Sequence, residues 1–245
     1  MVITSLDNEN VKKWKKLQKR KYRDEYGQYI VEGLHLVREA FARGALVEVI
    51  LEEHEEVIFP CPHTMVTREI IEKISTLDNP VNIMGLCRKL NRDEVVGNKI
   101  LILDEIQDPG NLGTIIRTLD CAGINTLLLS TGCADEYNPK VIRSTMGAIF
   151  RVNVFSNLNL NKELENLKEE GYNIVVTSLE GATNMFEHKF EGKNIVVIGN
   201  ESNGVSKEIQ ELANVRIKIP MAGQTESLNA GVAASLVAYE IYRSR

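Results

Sequence analysis

Cysteine is scarce in this sequence. Four thiols, Cys61, Cys87, Cys121 and Cys133, are scattered through 245 residues, and no two form a C-x-x-C pair. A disulfide framework is therefore not expected, and reduced thiols are the default. Cys61 and His63 stand close together, but no second pair of ligands follows at the spacing a zinc site requires, so no metal is expected. No apolar run reaches about 18 residues, which excludes a transmembrane helix. The opening residues, Met1 to Asn10, lack the basic-then-apolar layout of a signal peptide. The expected location is the cytoplasm, with no membrane partner. Positive charge is not in excess either: 29 Lys and Arg against 34 Asp and Glu give a net charge of −5. That excludes a chain coated in positive charge. It does not exclude a nucleic-acid ligand, whose electrostatic footprint is local. Internal repeats and low-complexity tracts are absent.

What is present is a hydrophobic content of 43%, ordinary for a globular protein, in a chain long enough for two medium domains. The first piece is expected over residues 1–90. It opens with a basic helix from Asn8 to about Arg20, in which Val11, Trp14 and Leu17 recur at helical spacing among five lysines. The charge run continues through Arg23, beside Tyr22 and Tyr26. Alternating segments follow: a strand at Tyr29–Val31, a helix from Leu34 to Arg43 stopped at Gly44, a strand at Val47–Leu51, a helix near Arg68–Ile74 and a strand near Val81–Cys87. These predict a small α/β domain. Residues 91–98 have the polar texture of a linker. The second piece, 99–245, carries apolar strand candidates at Ile100–Leu103, Thr126–Leu129, Ile174–Thr177, Ile195–Ile198 and Val215–Ile219. Helical stretches separate them at Leu112–Ala122, Pro139–Met146, Lys162–Glu170, Lys207–Ala213 and Leu228–Tyr242. Continuous apolar strands alternating with helices predict a mostly parallel sheet covered on both faces. In such sheets, ligands sit beyond the carboxyl ends of the strands.

Three motifs fall at such ends. Asp108-Pro109-Gly110-Asn111-Leu112-Gly113 is a turn feeding a helix, with Asn111 suited to cap it and Arg117 among apolar neighbours. Gly199-Asn200-Glu201-Ser202-Asn203-Gly204-Val205-Ser206 nearly spells a P-loop, but Val205 occupies the lysine position, which argues against nucleotide triphosphate hydrolysis. No G-x-G-x-x-G fingerprint is present. Ile219-Pro220-Met221-Ala222-Gly223-Gln224-Thr225-Glu226-Ser227-Leu228-Asn229 runs from a strand into a helix crowded with small residues, so polar groups and free backbone N–H groups converge at one helix start.

Together and in this order, the three motifs resemble those of the SpoU (TrmH-like) branch of the SPOUT methyltransferases. The resemblance implies transfer of a methyl group from S-adenosylmethionine to a ribose 2′-hydroxyl of RNA. It also implies a C-terminal trefoil-knotted α/β domain and a homodimer packed through the knot and the C-terminal helix. By motif position it assigns Asn111, Arg117, Glu201 and Asn229 to catalysis. It assigns Thr177, Ser178, Leu179, Gly199, Asn200, Glu201, Gly204, Ile219, Met221, Ser227, Leu228 and Asn229 to the cofactor. The segment from Lys19 to Ala40 resembles the substrate-binding domain found ahead of many SpoU domains, which has a ribosomal-protein-like α/β/α fold. That likeness, with the helix at Asn138–Ala148, points to Lys19, Arg20, Lys21, Arg23, Lys140 and Arg143 as RNA contacts. The two-domain layout favours ribosomal RNA, 23S rRNA first, over tRNA. A non-catalytic RNA-binding assembly factor is the alternative from another class, and the intact motif set speaks against it.

Overall fold

In the computed structural model, which describes residues 2–91, 94, 95 and 97–244, the chain divides into two compact units. The first is Met1–Asn91 with Tyr137–Phe150; the second is Arg92–Glu136 with Arg151–Arg245. Of the linker expected over 91–98, Arg92, Asp93 and Val96 lie outside the described residues.

The first unit is built on a five-stranded mixed sheet in the order β1 (Val2–Ile3), β4 (His63–Val66), β3 (Leu46–Glu52), β5 (Ile83–Arg88), β2 (Gln28–Glu32). The strands β1 and β4 are additions to the sequence-based expectation, because two- and four-residue strands show no readable period. The basic helix expected from Asn8 to Arg20 is two helices, α1 (Glu9–Lys16) and α2 (Arg20–Tyr26). Arg23 accounts for the break. It is buried, and its guanidinium donates to the carbonyl oxygens of Leu17 at 2.8 Å and Gln18 at 2.9 Å, closing the end of α1. Val11, Trp14 and Leu17 are buried against Ile70, Ile71 and Ile74 of α4 (Arg68–Ile74) and against Ile50 and Met84 of the sheet. Trp14 is therefore a core residue and is not available to stack on a base.

The segment Tyr137–Phe150, read from sequence with the C-terminal piece, folds into this first unit. It carries α6 (Pro139–Thr145). The Tyr137 ring packs on Tyr29 at 4.6 Å between centroids. Arg143 donates to Thr76 Oγ1 at 2.8 Å and lies 4.0 Å from the buried Glu32 carboxylate, which also accepts from Ser75 and Thr76. The sequence-local pattern of α6 contains no sign of these partners, which lie more than 60 residues away.

The second unit is a seven-stranded sheet in which every neighbouring pair is parallel. The order is β10 (Thr183–Asn184), β12 (Val215–Lys218), β9 (Asn173–Thr177), β11 (Asn194–Ile198), β6 (Lys99–Leu103), β7 (Thr126–Ser130), β8 (Asn153–Leu158). The helices are α5 (Pro109–Ala122), α7 (Leu160–Glu169), α8 (Lys207–Leu212) and α9 (Ala230–Arg243), with α3 (Leu34–Ala42) completing the first unit. Ile100, Ile102, Ile174, Val176, Ile195 and Val197 share one buried cluster with Leu160, Leu164 and Leu167 of α7 and Ile209 of α8. Alternation sends Leu101, Leu103, Val196 and Ile198 to the opposite face, on which α9 packs. The unexpected edge strands are β8, whose sequence Asn-Val-Phe-Ser-Asn-Leu mixes polar and apolar residues, and β10, which is two residues long.

One histidine in this unit is expected to make stability pH-dependent. His188 packs edge-on against Phe190 at 4.7 Å, and its Nε2 is buried with no hydrogen-bond partner among the described residues. Burial, and then the charge of Lys99, lower its pKa from 6.5. The folded state thus favours the neutral ring. Its contribution is complete above the unfolded value and is lost as pH falls through the lower folded value. Urea midpoints measured from about pH 7 to about pH 5 should decline less in His188→Phe than in the wild type.

Candidate functional site

The carboxyl ends of β9, β11 and β12 open into a cavity of about 450 Å³. It lies on the side of the sheet where strand order departs from chain order, since β11 is inserted between β9 and β6. Thr177, Ser178 and Leu179 line it from the end of β9. Gly199, Asn200, Glu201 and Gly204 do so from the loop after β11, Ile219 and Met221 from the loop after β12, and Ser227 and Leu228 from the approach to α9. Of the residues singled out at this site, Asn229 alone is not part of the lining; it caps α9 instead. The sequence reading gave no role to Arg216 and Lys218, which with Glu180 and Glu226 bring charge of both signs to the cavity. The alternation Val215-Arg216-Ile217-Lys218, with Ile217 buried and Arg216 and Lys218 exposed, was the available signal.

The loop after β11 is closed on itself. Asn200 and Gly204 exchange backbone hydrogen bonds of 3.1 and 2.8 Å, and Gly204 takes a left-handed φ of 68°. Asn200 Oδ1 accepts from Ser202 N at 2.8 Å, while its Nδ2 donates at 2.9 Å to the carbonyl of Glu105, which follows β6. Asp104, buried at the end of β6, accepts from Ser206 N at 2.9 Å. Ser206 is the N-cap residue of α8 and makes no side-chain cap of its own, so Asp104 satisfies that helix start. The sequence hinted at Asp104 only as an acid directly after an apolar strand.

A directional chain of side chains runs beside the cavity. Asp108, not Asn111, caps α5: its carboxylate accepts from Asn111 N at 2.8 Å. The Asn111 side chain is thereby released for other partners, which corrects the expectation that it caps the helix. Its Nδ2 donates to Glu201 Oε1 at 2.5 Å, and its Oδ1 accepts from Asn229 Nδ2 at 2.9 Å. Asn229 Oδ1 in turn accepts from Gly231 N at 2.9 Å and Val232 N at 3.3 Å. A carboxylate can only accept, so each amide orientation follows from the one before. Three of the four expected catalytic residues are thus in one hydrogen-bonded set.

Arg117, the fourth, stands apart. Its sequence neighbours Ile115, Ile116 and Leu119 are buried, but Arg117 itself is exposed, with Thr114 and Cys121 on the same outward face of α5. The apolar setting inferred from sequence is a feature of the opposite face. Arg117 has no hydrogen-bond or ion-pair partner among the described residues, and it does not line the cavity. On α9, which packs beside α5 with Thr118 Oγ1 3.1 Å from Ser235 Oγ, Val232, Leu236, Tyr239 and Tyr242 form an exposed stripe at helical spacing.

The expected RNA contacts divide. Lys19 and Lys140 are exposed. Arg20 lies 3.7 Å from Asp24, and Lys21 sits over the Tyr22 ring. Arg23 is buried and committed to the internal partners described above, whereas Arg143 is partly exposed with one guanidinium nitrogen held by Thr76 and Glu32.

Comparison with known proteins gives a consistent picture. Residues 98–239 match the SpoU rRNA Methylase family, and residues 8–85 match the MRM3-like substrate binding domain. Over 244 residues the chain is 34% identical to the 23S rRNA (guanosine(2553)-2'-O)-methyltransferase RlmP of Bacillus subtilis (strain 168), with 98% of each chain covered. Among solved structures, an AdoMet-bound rRNA methyltransferase from Sinorhizobium meliloti superposes with a TM-score of 0.88 at 27% identity, covering 99% of this chain and 97% of that one. An RNA 2'-O ribose methyltransferase superposes with a TM-score of 0.84 at 28% identity, covering 100% and 99%.

Proposed function

The chain belongs to the SpoU rRNA methylase family, and from that premise we propose that it methylates a ribose 2′-hydroxyl of 23S ribosomal RNA, using S-adenosylmethionine. The observation that carries this reading is the cavity at the ends of β9, β11 and β12 with the Glu201–Asn111–Asn229 chain beside it. Its volume of about 450 Å³ falls within the range of small-molecule sites. Leu179, Ile219, Met221 and Leu228 suit a planar base, while Arg216, Lys218, Glu180 and Glu226 suit a group bearing both an ammonium and a carboxylate. The cofactor fits these residues, and when bound it supplies a methyl group made electrophilic by a sulfonium.

The rest is alignment by the chain's own groups. Glu201, Asn111 and Asn229 fix the entrance of α5 and α9 and present one polar edge to the incoming ribose. Arg117 is the group that meets the reacting hydroxyl. Arginine keeps its charge throughout the working pH range, so it orients the hydroxyl and the adjacent phosphate and stabilises the developing alkoxide rather than acting as a base. The proton leaves through a phosphate oxygen or water. The first unit serves as the RNA-binding part and the second unit as the catalytic part. The strand order, which skips places around β11, is compatible with the trefoil knot of the family. The cytoplasm, where ribosomal RNA is made, is the proposed location.

The active form is a homodimer. The exposed stripe Val232, Leu236, Tyr239 and Tyr242 is the surface it buries, and Arg117, outside its own cavity lining, serves the partner's site. Leu236→Glu should therefore convert a dimer into a monomer in sedimentation experiments and abolish methylation. An active monomer would refute this arrangement. The function itself is tested by incubating the protein with radiolabelled S-adenosylmethionine and total RNA from a strain lacking the gene, then fractionating by size. Label is expected in large ribosomal RNA. Label confined to tRNA would overturn the substrate assignment.

A further inference from the structure

The two basic helices of the first unit carry a feature that, of the expected RNA contacts, includes only Lys21. Some of their charges are internally compensated. Lys12 lies 3.5 Å from Asp7 and 3.6 Å from Glu9, and Arg20 and Lys89 both approach Asp24. Lys13, Lys16 and Lys21 have no carboxylate within ion-pair distance among the described residues. Their ammonium groups instead sit over two tyrosines: Lys13 over Tyr26 at 5.4 Å, and Lys16 and Lys21 over Tyr22 at 5.5 and 5.7 Å. The rings lie nearly parallel, 17° apart with centroids 6.3 Å from each other, one turn apart on α2. The result is three ammonium groups held against two neighbouring tyrosine rings.

A cation–π contact uses the charge of a lysine but leaves its N–H donors open. It also restricts a long, mobile side chain, lowering the entropy lost when that chain binds a partner. Three cations without an ion-pair carboxylate, in a protein of net charge −5, give this surface a local basic character of the kind that neutralises a polyanion. Because each ring already carries an ammonium group, the surface offers phosphates N–H donors in place of bare ring faces.

We propose that Lys13, Lys16 and Lys21 form a docking surface for the RNA phosphate backbone, with Tyr22 and Tyr26 as positioning residues that hold them. This rests on the reading of the substrate as RNA, and it adds Lys13 and Lys16 to the expected contact Lys21.

The test uses the full-length protein and an unmodified 23S rRNA transcript, with binding followed by fluorescence anisotropy across a salt series. The Lys13→Gln/Lys16→Gln/Lys21→Gln variant should lower the slope of log K against log salt by about 2 to 3, since each phosphate contact contributes about 0.7 to 0.9. KM for the transcript should rise about tenfold, while kcat at saturating RNA and the affinity for S-adenosylmethionine stay unchanged. Tyr22→Leu/Tyr26→Leu should weaken RNA binding, and Tyr22→Phe/Tyr26→Phe should restore it, because phenylalanine keeps the cation–π face. A triple lysine variant with wild-type affinity and slope would overturn the docking surface. A wild type that neither binds nor methylates the transcript would overturn the functional reading instead.

Discussion

Replacing Arg117 by alanine is expected to lower kcat for methyl transfer by a factor of about 10² to 10³, with the affinity for S-adenosylmethionine unchanged. The residue lies outside the cavity lining and makes no internal bond among the described residues, so its loss should cost neither the fold nor the cofactor site. Arg117 is exposed on α5, so its guanidinium is accessible to a bound RNA. Its proposed task arises only when negative charge develops on the ribose oxygen, so the effect belongs in kcat rather than in binding. Arg117→Lys keeps the charge but not the planar fork, and should recover only part of the rate. Single-turnover measurements with cofactor and RNA both saturating separate this effect from product release. Equal loss of cofactor affinity and rate in Arg117→Ala would mean that the residue shapes the pocket after all.

The second large effect is expected at Gly199. A Cβ added there would lie 2.1 Å from both the Gly204 carbonyl carbon and Val205 N. Both atoms belong to the backbone, so no rotamer change relieves the clash. The turn cannot open cheaply, because Asn200 and Gly204 are bonded to each other in both directions and Asn200 is tied to Glu105. This glycine is thus demanded by close approach rather than by an unusual φ. Gly199→Ala should destabilise the second unit by about 3 kcal/mol or more, at the upper end of overpacking effects. Where the protein still folds, the displaced loop carries Glu201 away from Asn111, and cofactor affinity should fall at least about 100-fold, the equivalent of about 2.7 kcal/mol. Calorimetric titration with S-adenosylmethionine, alongside urea unfolding, reads both consequences.

Much of the second unit was legible because its central strands are continuous apolar runs. Ile100–Leu103 and Ile195–Ile198 need no tertiary context to read as buried parallel strands, and the motif after Ile195–Ile198 marks the cavity. What remained hidden depended on direction or on distant partners. Arg117 reads as surrounded by apolar residues along the chain, but a helix turns those neighbours inward and the arginine outward. Asn111 and Asp108 are both acceptable caps in composition; the geometry of the turn gives the role to Asp108 and leaves the Asn111 amide for Glu201 and Asn229. Arg23 lies in a run of surface charge, and nothing local says that it folds back onto the carbonyls of Leu17 and Gln18. Arg143 meets Glu32 and Thr76 only after the chain has returned to the first unit. Charge runs identify a basic region well, but they do not say which of its members are committed to the interior.

The central claim is that the methyl group is delivered to a ribose 2′-oxygen of 23S ribosomal RNA. The most direct measurement is alkaline hydrolysis of 23S rRNA labelled by the wild-type protein with radioactive S-adenosylmethionine. A 2′-O-methyl group removes the hydroxyl that alkali uses to cleave the adjacent linkage. The account predicts label in alkali-resistant dinucleotides, and none when the protein carries Arg117→Ala. Label released in mononucleotides would place the methyl group on a base and contradict the account.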